Sequence, residues 1–188
     1  MNFLSGNNLF VYIILGALVL AVLGFVIWQN INNKLKKRKQ KRESDAFEND
    51  SREYVNYLIV EINEIINLTK HELNNFQVSI GSVKMSDINL SANALLNDIV
   101  QRDKFKRYVL SNPNYSDFVL KISALKDAKA NLWENKFEYL IDYFKDKLKT
   151  IEVDLSSEKV KQEIEYVQNS YNFQINNRIE MRKKNEIK

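Results

Sequence analysis

Cysteine is absent from the chain. That excludes a disulfide framework, a thiolate nucleophile and a Cys-ligated metal, and it suits a reducing compartment. Proline occurs once and glycine four times. With so few breakers, and with many Lys, Glu, Asn, Ile and Leu, the composition predicts long helices rather than a turn-rich sheet. Charge is missing from the first 33 residues altogether, and then arrives at once. Residues 34–42, KLKKRKQKR, hold seven cations: Lys34, Lys36, Lys37, Arg38, Lys39, Lys41 and Arg42. The whole chain carries +4, so with +7 in this block residues 43–188 carry −3. The basic pI of about 9.0 therefore reports one collar on an otherwise mildly acidic protein. A nucleic-acid-binding domain would spread basic residues over a folded face.

The uncharged stretch holds LFVYIILGALVLAVLGFVIW (9–28), 20 residues without a charge, Pro, Asn or Gln. As a helix it is about 30 Å long, the thickness of a hydrocarbon core. Tyr12 and Trp28 stand near its ends, where amphipathic rings favour the interface. A cleaved secretory signal would have cations before the apolar run and a small-x-small site after it, and neither is found. The reading is a retained transmembrane helix. Cations beside a span stay on the cytoplasmic side. The expected topology thus has residues 1–8 outside, 9–28 in the cytoplasmic membrane, a juxtamembrane collar at 29–43, a cytoplasmic domain over 44–183 and a disordered tail at 184–188. Against an anionic leaflet each collar Lys or Arg gains about 1 kcal/mol. Ala17, Ala21 and Gly24 share one face of the span and would permit close helix–helix approach.

Behind the collar, Phe47, Tyr54, Leu58, Ile62, Ile65, Thr69, Leu73 and Phe76 recur at helical spacing. Gly81 is a candidate stop, and Ser86 or Asp87 a candidate cap for a second helix over about 87–111. In SNPNYSD, Asn112 suits an N-cap and Pro113 a first helical position. A third helix is expected over 113–150 and a fourth over 157–183, after a turn capped by Ser156 or Ser157. The expected fold is all-α: one transmembrane helix, then a cytoplasmic antiparallel bundle of three or four helices. The first helix of the bundle is expected to be extended and coiled-coil-like, and the alternative to a bundle is a long coiled coil with oligomeric packing.

The layout resembles the LemA family, in which a short outer N-terminus and one span precede a cytoplasmic helical domain. EINEIINLTKHE (61–72), YVLSNPNYSDF (108–118), ALKDAKANLWENKFEYL (124–140) and the Tyr171-Asn172 pair are similar to stretches of that family and lie in matching order. The family's Arg-Arg-x-Asp-Leu-Ile-Pro-Asn-Leu stretch has no counterpart here beyond Arg52 and an apolar run. The Tyr-Asn pair falls roughly thirty residues late. The resemblance implies the same fold and topology, and no particular chemistry.

Reaction chemistry is not legible. His71 is the only histidine, and its neighbours Glu64 and Glu72 are expected to be ordinary solvated charges. Glycines at 6, 16, 24 and 81 cannot form a phosphate loop. No enzyme activity, metal or cofactor is expected. The leading expectation is a membrane-anchored interaction or scaffold protein at the inner face of the membrane, an accessory of an envelope, secretion, division or flagellar-motor assembly. Its partners would be anionic lipid at the collar, other membrane or envelope proteins, and further copies of itself. One alternative is a membrane-tethered nucleic-acid binder using the collar with Arg182, Lys183 and Lys184. Another is a small transporter subunit assembled through Ala17, Ala21 and Gly24.

Overall fold

The structure, a computed structural model, describes residues 6–78, 83–129, 132 and 136–186. Every regular element among them is helical. Gly81 as a helix stop falls outside the described residues. The first helix, α1, runs Gly6–Val78 as 73 continuous residues. No Pro or Gly occurs between Gly24 and Gly81, so nothing in the backbone chemistry interrupts it. The chain forms two compact units, Met1–Glu48 and Asn49–Lys188. α1 contributes residues to both.

Within the first unit, α1 is exposed on every side from Val11 to Ile31. The second unit owns the core. α1 supplies Leu58, Ile62, Ile65 and Ile66, all with essentially no exposure. The remaining elements are α2 (Met85–Gln101), a single turn α3 (Asp103–Phe105), α4 (Ser116–Asp127), α5 (Glu138–Thr150) and α6 (Glu158–Glu186). Each longer one gives a stripe at steps of three and four to the same cluster. These stripes are Ala92, Leu96 and Ile99; Phe118, Ile122 and Leu125; Leu140, Ile141 and Phe144; and Val167, Tyr171 and Ile175.

The sequence-derived α1 stripe lies inward at Leu58, Ile62, Ile65, Thr69 and Leu73. Tyr54 is half-buried. The side chain of Phe76 lies outside the described residues. The buried face is wider than the stripe predicts, because Val55, Ile59 and Ile66 are also covered.

Two expected helices are broken. The second ends at Gln101, ten residues short, because Arg102 turns extended (φ −60°, ψ 137°). The chain then passes through α3 into a π-helical turn, Lys106–Leu110. The expected third helix over 113–150 becomes a 3₁₀ turn at Pro113–Tyr115, then α4 and α5, separated where Ala128 is extended. Ala128 is buried, so tertiary packing holds the break, not local propensity. In one straight helix Phe118 and Phe144 would be about 39 Å apart. Here their rings meet edge to face at 5.8 Å.

The caps follow the sequence more closely. The Asn112 side chain accepts from the N–H of Asn114 at 3.1 Å, with Pro113 in the first position. Ser157 Oγ accepts from the N–H of Val160 at the start of α6. At α2 the cap position belongs to Lys84 rather than Ser86 or Asp87. Asp87 lies three residues into the motif and accepts from the Lys84 N–H at 2.8 Å. α6 continues to Glu186, past the expected end at 183.

Candidate functional site

One helix among the described residues is long and apolar enough to cross a membrane, and it is α1. Its apolar part is stripped of protein contacts. Leu20 is 71% exposed and Trp28 60%, values that would be costly in water for so long a run. Phe25 and Trp28 lie ring to ring at 6.1 Å near the end of that run.

The collar opens with Gln29, Asn30, Ile31, Asn32 and Asn33, and its cations follow. Six residues of helix from Trp28 to Lys34 make about 9 Å. A headgroup layer adds about 5–7 Å on each side of a hydrocarbon core, so on a spanning helix Lys34 would lie just past its outer edge. All seven collar cations are exposed. Lys39 lies 3.9 Å from Glu43, one turn on. At roughly 100° per residue, the seven directions leave no gap around the helix wider than roughly 100°. The positive charge is a ring about 12 Å deep, not a stripe.

Ala17, Ala21 and Gly24 lie on one side of α1, all exposed. A Cβ added at Gly24 would meet nothing within 4 Å. These positions are open to a neighbouring helix.

The remaining candidates do not gather into a reactive centre. The His71 side chain is 70% exposed and 3.9 Å from Glu72. Asn75 Nδ2 lies 3.2 Å from His71 Nδ1. Among the described residues no group of three or more His, Asp or Glu is arranged to hold a metal ion. Arg182, a member of the expected basic tail, is instead paired with Asp87 at 3.3 Å and is 20% exposed.

A polar centre that the sequence reading passed over lies between α1 and α2. Glu61 is buried and receives a two-pronged contact from Arg102, 2.8 Å to Oε2 and 2.7 Å to Oε1. The same guanidinium donates to Asp98 at 2.8 Å. Burial pushes the Glu61 carboxyl up, and the Arg102 contacts recover only part of that shift. Burial likewise raises the nearby Tyr54 hydroxyl to about 12. The signal was present: Glu61 is three residues after Leu58 and four before Ile65, so a carboxylate sits on the apolar stripe. The Asn63 amide, also buried, donates to the carbonyls of Ile59 at 2.8 Å and Phe144 at 2.9 Å, joining α1 to α5. Tyr171 of α6 reaches Thr69 Oγ1 at 3.3 Å. These groups stitch helices together.

No family model matches the chain, and neither a curated protein nor a solved structure matches it significantly.

Proposed function

We propose that this protein is a single-span membrane-anchored interaction module whose helical domain works at the inner face of the cytoplasmic membrane. Residues 9–28 cross the bilayer with the N-terminus outside. Residues 34–42 lie at the cytoplasmic edge of the headgroup layer, where their long side chains reach back to anionic lipid. The Asn49–Lys188 unit is an antiparallel helical bundle in the cytoplasm that binds other membrane or envelope proteins. The observation that carries this reading is the closed ring of seven exposed cations about 9 Å beyond an unbroken, exposed apolar helix. Positive residues at that place resist translocation and bind anionic lipid from all sides of the helix. The anchor confines the domain to two dimensions and raises its effective concentration near membrane partners. The work is positional, without catalysis. Membership of the LemA family would carry the same topology and is not required by this reading.

Nucleic-acid binding is the weaker reading. It would need the collar to act with the C-terminal basic residues, and Arg182 is engaged with Asp87.

The test is in-cell cross-linking of the full-length chain, followed by mass spectrometry, beside a variant with the seven collar cations changed to Gln. The reading expects reproducible cross-links from the Asn49–Lys188 unit to one membrane assembly, weakened in the collar variant. Cross-links to nucleic acid alone, or a protein partner retained in full without the collar, would refute it.

A further inference from the structure

Within the Met1–Glu48 unit, α1 carries two grooves on one side. One, of ≈ 250 Å³, is lined by Leu18, Val19, Val22 and Leu23. The other, of ≈ 460 Å³, is lined by Asn30, Asn33, Lys34, Lys36, Lys37 and Gln40. All of these residues are exposed. At about 100° per residue, the two linings are centred within roughly 20° of each other around the helix. Their depths also match a single leaflet. For a span at 9–28 the midplane falls near Leu18, so the apolar groove lies in the cytoplasmic half of the hydrocarbon core, about 15 Å thick. Asn30 lies about 3 Å past Trp28, inside the headgroup layer. Asn33 and Lys34 lie about 8–9 Å past it, at and just beyond the outer edge of that layer. Helical side chains lean toward the N-terminus of their helix. On this span that direction is the bilayer, so Lys34 and Lys37 lean back toward the phosphates.

We propose that this face of α1 holds one anionic phospholipid of the inner leaflet, with an acyl chain along the Leu18–Leu23 groove and the phosphate at Asn33, Lys34 and Lys37. Amphipathy selects the occupant. An apolar groove that leads, on the same side, into ammonium and carboxamide groups matches a molecule with an acyl chain joined to an anionic head. Lys34 and Lys37 are neighbours on the helix surface and supply the counter-charge. Asn30 and Asn33 can donate to phosphate and ester oxygens without adding charge. A second helix would be drawn elsewhere. Ala17, Ala21 and Gly24, which permit close approach of a helix, face roughly the opposite way. A soluble polyanion would leave the apolar groove unused. The assignment rests on the anchoring reading and goes further. The ring of cations draws anionic lipid on every side, and this side holds one molecule in register.

The test titrates the full-length chain in detergent micelles with palmitoyl-oleoyl phosphatidylglycerol and counts bound lipid by native mass spectrometry. Phosphatidylcholine with the same chains probes the apolar groove without the net negative head. Glycerol 3-phosphate probes the head without the chains. The expected result is one phosphatidylglycerol bound ahead of all others, at least about fivefold tighter than phosphatidylcholine and not displaced by glycerol 3-phosphate. Two variants keep the net charge. Lys34→Leu with Leu35→Lys moves one ammonium about 100° around the helix at nearly the same depth. Asn30→Ala with Asn33→Ala removes only carboxamides. Each should weaken binding of the first lipid by about fivefold. An unchanged unfolding midpoint excludes misfolding as the cause. Unchanged affinity in either variant, the outcome for diffuse ring charge, would overturn the proposal. So would equal affinity for phosphatidylcholine, displacement by glycerol 3-phosphate, or several equivalent lipids in place of one. Fractionation of the same cells separates the two readings. A membrane-bound chain without the single site sinks this inference alone, whereas a chain in the soluble fraction sinks the anchoring reading and this one with it.

Discussion

Arg102→Met should be among the most damaging single changes away from the hydrophobic core. Glu61 keeps only 4% of its side chain exposed and Arg102 27%. Removing the guanidinium leaves a buried carboxylate with no counter-charge, which typically costs 3–5 kcal/mol. Water reaches part of Arg102, so the low end applies, about 3 kcal/mol. For a unit of this size that lowers Tm by roughly 10 °C. The double variant Glu61→Met with Arg102→Met removes both charges and should recover to within about 1 kcal/mol of the native chain. pH gives a second handle. Burial raises the folded-state pKa of Glu61 despite Arg102. Its contribution to stability is therefore full below the unfolded carboxyl value of about 4.3, and is lost as pH rises through the raised folded value. Without Arg102 that folded value rises further and the loss deepens. The Tm gap between Arg102→Met and wild type should be widest at neutral pH and should narrow in acid. The assay is thermal unfolding of the full-length protein in mild detergent, followed by circular dichroism across that pH range. A gap below about 2 °C at neutral pH, a gap that does not narrow in acid, or a double variant no better than the single would refute the reasoning.

Three further outcomes follow from the same contacts. Asn63→Ala removes the donor to the Phe144 carbonyl and should cost about 2 kcal/mol, read as a lower urea midpoint with an unchanged slope. Tyr171→Phe deletes the hydroxyl that meets Thr69 while keeping the ring, and should cost about 1 kcal/mol; Tyr171→Ala should cost about 3–5 kcal/mol, so a small difference between the two would contradict the burial of that ring. Changing the seven collar cations to Gln should weaken interaction with vesicles containing anionic lipid by up to about 1 kcal/mol per residue, and should remove its salt dependence.

Much of the helical unit could be read from the sequence because its signals are local. The cap at Asn112-Pro113, the start of α6 at Ser157 and the inward stripe Leu58, Ile62, Ile65, Thr69 and Leu73 depend only on spacing and side-chain chemistry. The breaks at Arg102 and Ala128 could not be read that way. Both residues sit in stretches with good helix propensity, and neither is Gly or Pro. Their extended backbones accompany contacts distant in sequence: Arg102 with Glu61, and Phe118 with Phe144. The collar shows the same division. Its charge was visible at once, and the closure of that charge into a ring emerged only when the helix proved continuous through it. Glu61 is legible too, because its position on the apolar stripe, three residues after Leu58 and four before Ile65, marks a buried carboxylate.

The most direct test of the account is thiol accessibility across the membrane. Asn7→Cys and Ser44→Cys each introduce a unique thiol on either side of residues 9–28. A membrane-impermeant maleimide is applied to intact cells with the outer surface open to it, and then to permeabilised cells. The account predicts that Asn7→Cys is labelled in both and Ser44→Cys only after permeabilisation. Labelling of Ser44→Cys in intact cells, or recovery of the chain in the soluble fraction, would contradict it.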